Sequence, residues 1–300
     1  MLKRFLSFAI MLVAVAAGAQ AQLLWKVSGN GAKGESFLLG THHLAPISML
    51  DSIKGFNEAF AAVEAVGGEI NMADQAAQAQ LMVQYMMAPA DSTLSVLLTP
   101  AQADSLVSVL AKFMGPAASI DAVGPLKPAA LSTQLALMET MATMPPELVQ
   151  AIASGEQLDS RVQALGREAS KEVIAMETIE QQLDLLMGAP LTTQARELME
   201  GVKQILDGKA AENAKTLTDA YMTQNIAAIE KEISDPDQMD KETLKRLISD
   251  RNTAWTAKLA EILPSKTILL AVGCGHLPGN DGLIEQLRRA GFTVTPYYGN

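Results

Sequence analysis

The sequence predicts an α/β fold with a mixed or largely parallel sheet, assembled from two related β-GxxH-α-β units and a large helical insertion. Three observations carry this reading. Short apolar runs suited to strands cluster near the two ends, at residues 23–39 and 267–298, whereas residues from about 73 to 262 carry helical periodicity almost throughout. Both end regions repeat three apolar residues, a glycine, two variable residues and a histidine. These are Phe37-Leu38-Leu39-Gly40-Thr41-His42-His43 and Leu270-Ala271-Val272-Gly273-Cys274-Gly275-His276. Finally, 300 residues that are 49% hydrophobic and 19% charged can bury a substantial core without a metal or disulfide staple.

Lys3 and Arg4 precede the apolar run Phe5 to Ala17, and Ala19-Gln20-Ala21 has the small-x-small pattern of a signal-peptidase site. Residues 1–21 are therefore expected to be a signal peptide, with the mature chain periplasmic or secreted. The run is shorter than the ~20 residues of a membrane-spanning helix, and no later segment is apolar enough to span. Residues 22–300 are read as a single domain. Leu23 to Val27 and Ser36 to Leu39 flank a turn-rich segment and predict a hairpin. Ile53, Phe56, Phe60 and Val63 share one face of a helix from Ser52, and Gly67-Gly68 then leads into Glu69-Ile70, which completes a parallel crossover.

Within the insertion, Thr99-Pro100-Ala101-Gln102 combines a capping residue, proline at the first helical position and Gln three residues after the cap. Met138, Met141 and Met144 recur at helical spacing and are assigned to core packing. One strand interrupts the helices, near 173–176, and ends at Glu177. After the insertion come a buried strand at Thr267 to Val272, a helix between Gly279 and Gly291, and a last strand from Phe292 to Tyr298.

Composition excludes some functions. A net charge of -10, taken to -12 when Lys3 and Arg4 leave with the leader, is the wrong sign for binding a phosphate backbone, so no nucleic-acid partner is expected. The single Cys274 rules out an internal disulfide and any cysteine-based zinc cluster.

Histidine occurs only at positions 42, 43 and 276. Ligand sites of open α/β sheets form at the carboxyl ends of strands, so His43 and His276 share one rim if their strands are neighbours. A catalytic metal usually takes three protein ligands, and two histidines leave one to be supplied by a carboxylate. Glu69 and Glu177 both close strands on the same rim, and each is a candidate ligand or general base. Arg251 falls inside the apolar stripe Leu244, Ile248, Trp255, Leu259 and Ile262. A guanidinium there requires a partner, either a structural carboxylate or an active-site group. Cys274 is a candidate nucleophile on position, but a small packed residue fits a tight strand exit equally well.

The paired motifs Gly40-Thr41-His42-His43 and Gly273-Cys274-Gly275-His276-Leu277-Pro278-Gly279, with Glu69, Met176-Glu177-Thr178, Gln182-Leu183 and Arg251-Asn252, resemble the TraB/GumN family, related to the animal TIKI proteins. His42 and Asn71 depart from the usual pattern, which has an apolar residue and often Asp at these positions. The resemblance covers residues 22–300 and implies a sheet core of the erythromycin-esterase and ChaN-like type. By analogy with TIKI it also implies metal-dependent hydrolysis, most directly of peptides, with manganese or cobalt, or zinc, held by His43, Glu69 and His276. Glu69, Glu177 and Arg251 would then be the catalytic groups, acting on a peptide or small-molecule substrate. The alternative is a protein of the same fold that binds a small ligand, a peptide or haem without turnover.

Overall fold

A computed structural model describes residues 22–73, 75–153 and 157–299, so the expected signal peptide lies outside the described residues. Six strands, β1 (Leu24–Ser28), β2 (Ser36–Thr41), β3 (Ala65–Gly68), β4 (Glu172–Ala175), β5 (Ile268–Gly273) and β6 (Thr293–Pro296), form one sheet in the order β4-β3-β5-β2-β1-β6. The four strands β4, β3, β5 and β2 are parallel neighbours, and β1 is antiparallel to β2 and to β6. The fold is α/β with a mostly parallel sheet.

The two GxxH units are only partly equivalent. Their first strands, β2 and β5, lie side by side. β3 takes the other edge of β5, so β5 has no free edge left, and β6 pairs with β1 at the far side of the sheet. The β6 sequence suits an edge, because Val294 is buried while Thr293 and Thr295 face solvent.

Strand alternation divides the core between two helical layers. Phe37 and Leu39 of β2 pack with Phe56, Leu158 and Tyr221 on one face. Leu38, Leu270 and Val272 pack with Trp255, Leu259 and Leu287 on the other. Within the insertion, Leu106, Leu131, Leu135 and Leu198 of the helices Pro100–Met114, Pro128–Thr143 and Leu191–Leu206 form a further core of their own. The helix at Pro100 starts with the expected capping box between Thr99 and Gln102.

Three local expectations are corrected. The helix from Ser52 is two pieces, Met49–Ser52 and Phe56–Ala62, separated at Gly55, whose φ of 83° is left-handed and where a Cβ would run into the Gly299 backbone and the Tyr297 ring. Gly67 and Gly68 are not a turn before a strand but the end of β3 itself, with Glu69 one residue beyond. Glycine is needed there for close packing, since a Cβ on Gly68 would run into the Gln163 amide. Met144 is buried, but Met138 is 38% exposed, because Leu131 and Leu135 carry the inward face of that helix. No helix among the described residues is long and apolar enough to cross a membrane.

Candidate functional site

Parallel register brings the strand ends level: Gly68 stands opposite both Ala175 and Ala271, and Gly40 opposite Val272. Glu69 leaves β3 and Glu177 leaves β4, joined by a backbone hydrogen bond from Glu177 N to Glu69 O of 2.8 Å. β5 delivers His276 through a single 3-10 turn, Cys274–His276, and β2 delivers His42 and His43.

Arg251 links three of these groups. Its Nη2 donates to Glu69 Oε2 and Glu177 Oε1, both at 2.6 Å, and its Nε donates to Glu177 Oε2 at 3.2 Å. Nη1 lies 2.9 Å from His276 Nε2 and donates to Leu247 O at 3.2 Å. The residue sits at the start of the helix Asp250–Ile262, directly after a π-helical turn, Lys245–Ser249. Its guanidinium carbon lies 4.5 Å from the centre of the Trp255 ring, which also packs against His276.

The carboxylates have further donors. Gln182 Nε2 reaches Glu69 Oε2 at 2.9 Å and Glu177 Oε1 at 3.1 Å, and Gly273 N–H reaches Glu69 Oε1 at 2.9 Å. Burial opposes ionisation of Glu69, but the charge His276 takes on in the acid range where Glu69 titrates, the Arg251 charge and the Gly273 amide outweigh it and bring its pKa down to about 2. Burial likewise opposes the Arg251 charge, and the hydrogen bonds and charges of Glu177 and Glu69 reverse this and raise its pKa. The partner that the sequence demanded for Arg251 is thus a pair of site carboxylates.

The histidines fall into different environments. His276 is buried, and burial pushes its pKa down to about 4, so it is neutral at pH 7. Its Nδ1 lies 2.7 Å from Asn252 Oδ1, while Asn252 Nδ2 donates to the carbonyls of His276 and Asp281. That orientation makes Oδ1 the acceptor, so Nδ1 carries the proton and the Nε2 lone pair faces Arg251. His42 turns away from the rim. Its ring packs on Tyr221, its Nδ1 accepts from Leu44 N at 3.1 Å, and burial, then His43, lowers its pKa to about 4.

His43 is the member of the adjacent pair that lines the site. Its side chain is 64% exposed, and its Nδ1 lies 3.4 Å from Asp159 Oδ2. Asp159 is buried and accepts a 2.5 Å hydrogen bond from Thr41 Oγ1. The Asp159 carboxylate, aided by the Glu69 charge, raises the pKa of His43.

A cavity of about 280 Å³ opens here, with His43, Glu69, Asp159 and Gln182 among its lining and Met72 and Met82 on an apolar wall. Met82 belongs to the insertion helix Gln75–Met86, which therefore covers part of the site.

The three residues expected to hold a metal are not gathered around one point. Glu69 Oε1 and His276 Nε2 approach to 3.9 Å, but Arg251 binds both side chains. Among the described residues no three His, Cys, Asp or Glu side chains form a ligand group. As arranged, these residues do not fit a divalent ion held by all three, because the guanidinium takes the cation's place.

Cys274 lies against Gly40, where a Cβ would come within 3.2 Å of the Cys274 Cβ, and burial pushes its thiol pKa up to about 12. A protonated, buried thiol is a packing group rather than a nucleophile. The structure also adds side chains to which sequence reasoning gave no role: Asp159, Asn252 and Gln182. The last two lie inside the segments that carry the family resemblance. The only local sign for Asp159 is its place in the first turn of a helix.

No curated protein and no solved structure matches the chain. A family model does match, described as the TraB/PrgY/gumN family and extending over residues 23–296, from the first strand to the last. The sheet, both GxxH segments and the Arg251 network all fall within that match, and the chain belongs to the TraB/PrgY/gumN family.

Proposed function

We propose that the chain is a hydrolase that activates water in the cavity beside His43, with a peptide carbonyl as the first substrate class to test. The observation that carries this reading is an exposed imidazole that faces a buried carboxylate through one nitrogen and shares its cavity with the ionised Glu69. His43 takes a proton from water as the oxygen attacks the carbonyl, and returns it to the leaving amine. The negative charges of Asp159 and Glu69 favour the imidazolium formed in between. Arg251, Glu177 and Gln182 act through Glu69, holding its carboxylate in place and ionised. Export to the periplasm or beyond, as the leader suggests, belongs to the same proposal.

Turnover of peptide and ester libraries by wild type and His43→Ala tests it. A loss of about 10²–10⁴-fold in the variant is expected for removal of a general base. A folded wild type that turns over no library member overturns it and favours a role in binding a ligand, a peptide or haem.

A second reading retains the divalent cation implied by the TIKI analogy, and one observation favours it. His276 Nδ1 is held by Asn252 and its Nε2 lies 3.9 Å from Glu69 Oε1, as expected when a second group orients a metal-binding histidine. On that analogy His43, Glu69 and His276 are the implied ligands of manganese, cobalt or zinc, and Arg251 is the group that stands between Glu69 and His276 as the site is arranged. Stoichiometric metal in wild type, lost in His276→Ala, supports this reading. Turnover that survives chelation by protein shown to be metal-free supports the first.

A further inference from the structure

We infer that Asp159 is a positioning residue of this site, fixing the His43 imidazole in the tautomer that leaves the Nε2 lone pair available to the cavity. The inference deepens the hydrolase reading and rests on it for its functional meaning, but its geometry stands apart from any turnover.

Asp159 lies in the first turn of the 11-residue helix Leu158–Glu168, where a carboxylate is favoured by the helix dipole. One oxygen, Oδ1, accepts the Thr41 hydroxyl at 2.5 Å. Thr41 is the last residue of β2, two positions before His43, so the strand end that carries the imidazole also clamps the carboxylate. The other oxygen, Oδ2, is buried without a hydrogen-bond partner among the described residues, and His43 Nδ1 faces it at 3.4 Å.

A buried anionic oxygen lacking a donor is costly, and a proton on Nδ1 relieves that cost, whereas a lone pair there would add repulsion. In the neutral imidazole Nδ1 therefore carries the proton and Nε2 is bare. The neighbouring His42 has the opposite assignment, because its Nδ1 accepts the Leu44 amide and its proton must sit on Nε2. Two consecutive histidines are thus held as different tautomers by different partners. Only the His43 form leaves Nε2 free to take a proton from water.

Full-length mature protein carrying ¹⁵N-labelled histidine tests this directly, using long-range ¹H–¹⁵N spectra at alkaline pH, where the imidazoles are neutral. Wild-type His43, identified by loss of its signals in His43→Gln, is expected in the Nδ1–H form and His42 in the Nε2–H form. Asp159→Asn keeps the shape of the side chain. With Thr41 still donating to the carbonyl oxygen, its amide NH₂ faces Nδ1 and should switch His43 to the Nε2–H form, with the His276 pattern unchanged. Asp159→Ala should also release His43 from the Nδ1–H form, and the near-isosteric Asn variant decides the matter if the Ala variant does not fold. A wild-type His43 in the Nε2–H form, or an Nδ1–H form that persists in folded Asp159→Asn, overturns the inference. Neither outcome depends on finding a substrate, so this inference and the hydrolase reading fail separately.

Discussion

His43 and His276 follow the same Gly-x-x-His spacing from adjacent parallel strands, yet their surroundings give them opposite electrostatic properties. His276 is enclosed by Trp255, Asn252 and Arg251, and burial holds it neutral. His43 stands in an open cavity with a carboxylate behind it, which favours its protonated form. The motif sets how far a histidine reaches beyond the strand end. Its charge is set by helices that join the site from elsewhere in the chain, Leu158–Glu168 for one histidine and Asp250–Ile262 for the other.

The strongest way to break the buried half of this comparison is Arg251→Met. It leaves Glu69 and Glu177, both almost enclosed, without their shared cation. A stability loss of about 3–5 kcal/mol is expected by urea unfolding. A loss below about 1 kcal/mol would mean that solvent, not Arg251, compensates the two carboxylates.

Acid provides the next test. The folded pKa of His276, about 4, lies below its ordinary 6.5, so the unfolded chain binds the proton more readily. Stability from this group is therefore complete above pH 6.5 and is lost as pH falls toward 4, by about 3 kcal/mol in all. His42 contributes with the same sign over the same window. His43 has the opposite sign, favouring the fold below its unfolded pKa and losing that contribution as pH rises through its raised folded value, and solvent exposure keeps the effect small. Unfolding curves across this range should show a net fall on acidification that is shallower in His276→Gln.

Asn252→Ala separates orientation from burial. It removes the acceptor for His276 Nδ1 and two donor contacts to backbone carbonyls, and is expected to cost about 2 kcal/mol by the same unfolding measurement. The smallest expected effect is that of His42→Phe. It keeps an aromatic ring beside Tyr221 and forfeits one acceptor, so stability should change by no more than about 1 kcal/mol. The turnover proposed for wild type should be unaffected in this variant, since of the two adjacent histidines only His43 lines the cavity.

How much could be read in advance depended on whether the cause was local. The apolar runs of β1, β2 and β5 announce themselves, and Arg251 stands out because a charge on an apolar helix face must have a partner. By contrast, the choice between His42 and His43 is made by Tyr221 and Asp159, each more than a hundred residues further along the chain. The close packing at Gly67 and Gly68 likewise depends on distant residues, Ile268 and Leu270 for the first and Gln163 for the second, and a double glycine by itself resembles a turn. The position of β6 was hidden for another reason: it follows from which sheet edges the other strands leave open.

The strand order also bears on when the protein can fold. β5 sits between β2 and β3, so the centre of the sheet is assembled across a gap of more than two hundred residues. A chain emerging from the ribosome can form the β1–β2 hairpin and the helical core of the insertion early. It cannot align Glu69 with His276, or close β1 with β6, until its last tenth has been made. Pairing over such distances makes for slow folding, and the site should be among the last parts of the molecule to take shape.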